Sequence, residues 1–209
     1  MKKDIDSTDL KIYWEIFESS MGIDRLSKRE QDYFWREASL TRIKCQQSNN
    51  AEYAITEALP FDKQAMLKKW WKYLSYDEKE SLLTHVWLNK GPAILYGYDW
   101  WLPYFEDTGF ITNADIDYLD DEESITLYRG ALPFLKYGMS WTPDREFAEL
   151  FVDQYEESRL YSVKVEFSEV SGVFEGIAGT IDDYENGIVY HNLEYVLDVS
   201  TLDGRVKEI

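Results

Sequence analysis

Hydrophobic positions recur at two different spacings along this chain. Through its first half they fall three and four residues apart, the spacing of one helix face. Ser7-Thr8-Asp9 can cap a helix running toward Ser20, carrying Ile12, Trp14, Ile16 and Phe17 and stopped by Gly22. Ser27 and Glu30 fit a capping box ahead of Tyr33, Phe34 and Trp35, each side chain bonding the backbone N–H of the other. The polar stretch Gln46 to Asn50 reads as a loop or a frayed helix end. Pro60 sits where a first helical turn can begin, before Met66, Leu67, Trp70, Trp71 and Leu74. Ser75 and Glu78 repeat the capping box and open a helix with Leu82, Leu83, Val86 and Trp87 on one face, ended by Gly91-Pro92. Tyr98 to Phe105 is strongly aromatic, and Gly109 breaks the chain ahead of a polar, acidic stretch from Asn113 to Ser124.

After Ser124 the period shortens to two. Ile125 to Tyr128 is a β-rich run that ends at Arg129-Gly130. Thr142 as N-cap and Pro143 as first residue predict a helix over the next turns to Phe151. Leu160 to Phe167 alternates as a strand, with Tyr161, Val163, Val165 and Phe167 on one face, and Val173-Phe174 suggests another short strand. Asp182 to Asn192 is loop-like, with Asn186-Gly187 as its turn. Leu193 to Val199 is the last clear strand, with Leu193, Tyr195 and Leu197 on one face and Glu194, Val196 and Asp198 on the other. Arg205 to Ile209 alternates again and predicts an edge strand after the Asp203-Gly204 turn. The fold class is therefore α+β: an aromatic-rich helical region over 1–120 and a strand-rich unit over 121–209. No Pro- or Ser-rich linker divides them, and they are expected to pack as one body.

Composition narrows the function. With 44% hydrophobic and 16% aromatic residues, the 209-residue chain is unlike a disordered or low-complexity one. Its formal charge of −18 repels phosphate at long range and argues against general nucleic-acid binding. The charge is uneven, with 20 acids and 7 bases from Asp120 onward and 20 acids and 15 bases before it. The N-terminal half also holds Lys63, Lys68, Lys69 and Lys72 beside Trp70-Trp71, either a solvated helix face or a nucleic-acid contact. Cys45 is the sole cysteine, so no intrachain disulfide forms, as in a reducing cytoplasm. With only two histidines, no Cys/His cluster suits zinc, and no metal is expected. The first residues are charged and amphipathic, unlike a signal peptide, and no apolar run reaches the roughly 18 residues of a membrane span. The expected location is cytoplasmic, without a membrane partner.

Three short elements could carry chemistry: Tyr128-Arg129-Gly130, then Ser140-Trp141-Thr142, then Asn192-Leu193-Glu194-Tyr195-Val196. Singly each has an ordinary explanation: a solvated charge, a cap with a core Trp, a strand carboxylate. In this order they resemble the Arg–Ser–Glu class of mono-ADP-ribosyltransferases, especially small bacterial and bacteriophage members. Those read Tyr-Arg-Gly, then Gly-x-Ser-Trp-Thr before a helix with Ala and Phe, then Glu-Tyr-Ile/Val. Here the middle block is Gly138 to Thr142, with Ala148 and Phe151 on the following helix, and the likeness spans Ile125 to Val199.

The resemblance implies a split β-sandwich that binds NAD as co-substrate. It implies that Arg129 clamps the dinucleotide phosphates, to which a guanidinium fork is suited. Gly130 would admit the nicotinamide amide, Ser140 would support the catalytic carboxylate and the ribose, and Trp141 and Thr142 would complete the NAD site. Phe147 or Phe151 would form an aromatic wall. Glu194 would be the catalytic carboxylate, holding a ribose hydroxyl while the nicotinamide bond breaks through an oxocarbenium-like state. Arg129, Ser140 and Glu194 should then line one cleft between two small sheets. The loop over 182–192, with Tyr184, Tyr190, His191 and Asn192, would recognise the substrate. Asn192 stands where arginine-modifying relatives carry Glu, and an amide cannot act as a general base, so arginine is not the expected acceptor. The resemblance thus implies transfer of ADP-ribose to a protein or to RNA or DNA, in a toxin or phage–host conflict setting, with a neutralising protein partner expected by analogy. The alternatives are a non-catalytic binding protein that keeps the fold, and an NAD glycohydrolase.

Overall fold

The computed structural model describes residues 22–60, 62–89, 97–116, 123–153, 156–178 and 190–209. The helix predicted over the first twenty residues, Gly91-Pro92, Asn186-Gly187 and Tyr184 lie outside the described residues. The chain divides into two compact units, Met1–Gly97 and Tyr98–Ile209. Among the described residues there are six α-helices and seven strands, an α+β protein.

In the first unit, local side-chain chemistry sets the helix starts. Helix α1 (Lys28–Gln47) opens on the predicted capping box: Ser27 N donates to a Glu30 carboxylate oxygen at 2.9 Å, and Glu30 N to Ser27 Oγ at 3.4 Å. Asn50 caps α2 (Ala51–Thr56) by accepting from Tyr53 N at 2.8 Å. Helix α3 spans Lys63–Trp70. Helix α4 (Tyr76–Leu88) again opens on a capping box, with Ser75 N donating to Glu78 at 2.7 Å. Each such cap stabilises its helix by about 0.5–2 kcal/mol. Pro60 falls in the turn before α3, not inside it; Asp62 precedes the first helical residue. Helices α2, α3 and α4 contact one another, and each contributes fully buried apolar side chains: Ile55, Leu67, and Leu83, Val86 and Trp87.

Lys63 is 5% exposed and leaves the basic run that the sequence suggests. Its ammonium donates to the carbonyls of Ile55 and Thr56 at the end of α2 and lies 2.9 Å from His85 Nε2. An ammonium has only donors, so His85 Nε2 accepts and the imidazole is neutral. Burial lowers the Lys63 pKa against the opposing charges of Glu57 and Cys45. Burial, and then the Lys63 charge, lower that of His85 below its ordinary 6.5. A histidine pKa depressed by folding contributes stability that is present above 6.5 and lost as pH falls through the folded value. Urea unfolding should therefore show stability declining from pH 7 toward pH 5, with His85→Gln flattening that decline. An unchanged slope in the variant would show that His85 does not titrate with folding.

The second unit begins with α5 (Tyr98–Thr108), which ends at Gly109 in the left-handed conformation, φ +68. Strand β1 (Ile111–Thr112) follows, so both elements group with the strands that start at Ser124. The other strands are β2 (Ser124–Ala131), β3 (Ser140–Trp141), β4 (Arg159–Glu166), β5 (Val170–Ala178), β6 (Tyr190–Leu197) and β7 (Lys207–Glu208). One sheet has the order β1-β5-β6-β3 and the other β2-β4-β7; all pairs are antiparallel except β1 with β5. The predicted alternation of β4 holds: Tyr161, Val163 and Val165 are buried while Lys164 and Glu166 are exposed. Those side chains and Leu127 from one sheet, with Trp141, Val173, Tyr195 and Leu197 from the other, make a single apolar core.

Three boundaries differ from the sequence reading. Helix α6 (Arg145–Val152) is capped by Asp144, whose carboxylate accepts from Phe147 N at 3.0 Å, and not by Thr142. Val173-Phe174 belongs to a nine-residue strand. Strand β6 starts at Tyr190 rather than Leu193, so Tyr190, His191 and Asn192 are strand residues, paired with Ala178, Ile177 and Gly176. The β5 ladder decides this, and it overrides the polar, turn-like composition of the segment.

Candidate functional site

An isolated backbone bridge joins the edge of one sheet to the end of a strand of the other. Tyr128 of β2 and Thr142 exchange both backbone hydrogen bonds, at 2.7 and 3.0 Å, although neither belongs to the other's sheet. This bridge places Arg129, the next residue on β2, against the turn that leads into β3.

Arg129 shares a strand face with Leu127 and Ala131, both core residues, so its stem starts in the interior. Its guanidinium crosses the backbone of Gly138. A Cβ built on Gly138 would collide with Arg129 Cζ and Nη2 and come within 2.8 Å of Nε. Arg129 Nε donates to Leu135 O at 3.2 Å and Nη1 to Ser140 O at 2.7 Å. Nη2 carries no hydrogen bond among the described residues. Burial lowers the Arg129 pKa, opposed by the charges of Tyr98 and Glu194. Arginine stays protonated in such surroundings, so the result is a partly buried cation with Nη2 not engaged by the described residues. Tyr98, at the start of α5, has its own pKa raised by burial and lowered in turn by Arg129.

Glu194 reaches this place from the four-stranded sheet. Tyr195 and Leu197 point into the core, as the alternation predicts, and Glu194 lies on the opposite face with Val196. Its cross-strand neighbour is the fully buried Phe174, which meets Phe105 of α5. Glu194 is partly buried, and its charge acts on the Arg129 guanidinium. Ser140 connects the two: it pairs with Val196 across β3 and β6, which puts its side chain on the face of Glu194, while its carbonyl holds Arg129. Thr142 and Asn192 continue the same face. The Thr142 hydroxyl accepts from Asp144 N at 3.1 Å, so its single proton goes to Asn192 Oδ1 at 2.6 Å. That fixes the Asn192 amide, with its oxygen toward Thr142. Thr142→Val should strand both partners and cost about 1–3 kcal/mol in urea unfolding. Thr142→Ser should cost little, and equal losses for the two variants would show that the hydroxyl does not matter.

No family model, curated protein or solved structure matches the chain.

The remaining residues singled out by sequence are placed for other physical reasons. A Cβ on Gly130 would collide with Ala148 O and lie 2.9 Å from Phe151 Cβ and Val152 N, so its bareness serves the packing of α6 on β2. Trp141 is a core residue, and its indole N–H is taken by Gly138 O at 2.7 Å. Phe147 is buried and Phe151 41% exposed, edge to face at 5.4 Å. Both ride on α6, which lies on the Gly130 face of β2, opposite to that of Arg129. Among the described residues no group of His, Cys, Asp and Glu could hold a metal ion, and no helix is long and apolar enough to cross a membrane. Sequence reasoning left Gly138 and Tyr98 without a role. The motif around Gly138 was visible, but only the path of Arg129 gives the glycine its purpose. No spacing rule connects Tyr98 to Arg129.

Proposed function

We propose that this protein is a mono-ADP-ribosyltransferase that uses NAD, its second unit being a split β-sandwich of that class. What carries the reading is Arg129, a partly buried guanidinium held by the carbonyls of Leu135 and Ser140, with Nη2 unbonded among the described residues and the charge of Glu194 acting on it. A partly buried cation whose Nη2 has no hydrogen bond among the described residues fits one oxygen of a pyrophosphate. In this reading Arg129 anchors the NAD phosphates and Ser140 orients the ribose. Glu194 holds a ribose hydroxyl and stabilises the positive charge that develops as nicotinamide leaves. Asn192, with its amide oxygen committed to Thr142, does not remove a proton from the acceptor. The acceptor is then a group already nucleophilic, on a protein or a nucleic acid, and not arginine.

The same hydrogen bond favours one second reading, an NAD glycohydrolase in which water takes the place of the acceptor. The test is labelled NAD added to cell lysate, with and without nuclease or protease, for wild type and Glu194→Ala. Label transferred by wild type alone establishes the transferase, and the digestion that removes it names the target class. Nicotinamide released from NAD without any lysate and without transfer establishes the hydrolase. Neither transfer nor release leaves a non-catalytic binding protein.

A further inference from the structure

Within the first unit, the corner between α3 and α4 has a chemistry unlike the rest of the chain. From Lys63 to Tyr76 there are four lysines and no carboxylate, in a protein of formal charge −18. Lys63 is buried, and Lys68, Lys69 and Lys72 are exposed. Aromatic rings are interleaved with them. Tyr73 and Tyr76 are 66% and 54% exposed. Ammonium groups stand over the rings: Lys69 at 5.2 Å from the Trp70 centroid, Lys72 at 4.7 Å from Tyr73, and Lys79 at 5.2 Å from Trp71. Acids resume at Asp77, Glu78 and Glu80, which bound the patch on the α4 side.

We propose that this corner binds single-stranded nucleic acid, with bases stacking on the tyrosines and phosphates on Lys68, Lys69 and Lys72. Charge complementarity selects a polyanion. The exposed rings select one whose bases are unpaired, because stacking needs a free π-face that a duplex does not offer. An acidic peptide would meet the lysines but leave the rings unused. The inference stands apart from the NAD chemistry of the second unit and holds whether or not NAD is cleaved.

The experiment measures fluorescence anisotropy of labelled single-stranded DNA and RNA oligonucleotides titrated with the full chain at several salt concentrations. Three phosphate contacts on a single strand predict a slope of log K against log salt near about −2. Tyr73→Ala should weaken binding by roughly 5- to 150-fold with the salt slope unchanged, since it removes a stack and no charge. K68E/K69E/K72E should abolish binding with the helical circular dichroism retained. K28E/R29E/K44E, exposed on α1 and equal in charge change, should bind as wild type does. Absence of binding at the lowest salt, equal loss in both triple variants, Tyr73→Ala binding like wild type, or displacement by polyglutamate as effective as by unlabelled oligonucleotide would each overturn the proposal.

Discussion

Glu194→Gln is expected to slow nicotinamide release from NAD by about 10²- to 10³-fold, the loss typical when one stabiliser of developing charge is removed. The amide keeps the shape of the carboxylate and most of its hydrogen-bonding ability, so what is lost is the negative charge. The expected signature is a fall in kcat with KM for NAD little changed, because the proposed mechanism assigns dinucleotide anchoring to Arg129, on the other sheet. Stability should fall slightly as well, since a charge that favours the partly buried guanidinium disappears. Nicotinamide release followed by chromatography, with circular dichroism as a check on folding, reads both effects. A Gln variant as fast as wild type would remove Glu194 from the chemistry.

Gly130→Ala and Gly138→Ala should separate stability from function, though both add one methyl group to the same turn-and-strand region. At Gly130 the new Cβ meets the backbone of α6 at Ala148 O and Val152 N, which cannot move without shifting the helix. The expected cost is about 3 kcal/mol or more, the upper part of the range for overpacking, read as a lower denaturation midpoint with an unchanged m-value. At Gly138 the obstacle is the far end of Arg129, a side chain that can leave. It leaves only by giving up its bonds to Leu135 O and Ser140 O. The smaller loss, about 1–2 kcal/mol, should be accompanied by a rise in KM for NAD of at least roughly tenfold, the equivalent of about 1.4 kcal/mol of lost anchoring. If Gly138→Ala unfolds the protein as readily as Gly130→Ala while the surviving fraction binds NAD normally, the cradle is structural only.

Some of this was legible in the order of residues. The capping boxes at Ser27–Glu30 and Ser75–Glu78 involve groups three residues apart, and nothing distant competes for them. The faces of β4 and β6 follow from strict alternation, which a strand enforces on every side chain along it. Arg129, Ser140 and Glu194 were recognisable as an ordered set. What their order leaves open is how they are placed, because Glu194 and Arg129 belong to different sheets, linked through the Tyr128–Thr142 bridge, the Arg129–Ser140 bond and a shared apolar core.

Tertiary structure decided the rest, and in each case a distant partner won over a local preference. Thr142 would cap α6 by composition, but the helix starts at Arg145, so Asp144 takes the cap, while the Thr142 hydroxyl accepts from Asp144 N and donates to Asn192. The segment from Tyr190 to Asn192 is polar enough for a loop, yet β5 supplies a ladder for it. Lys63 looks like one more surface lysine and is buried, because carbonyls at the end of α2 and His85 of α4 provide its hydrogen bonds. A sequence determines interactions within about one helical turn or along one strand directly, since covalent geometry already holds those groups close. Groups far apart in the chain are brought together by the packing of whole elements, as in the core of Leu127, Trp141, Val163 and Tyr195, and no local spacing encodes which of them will meet.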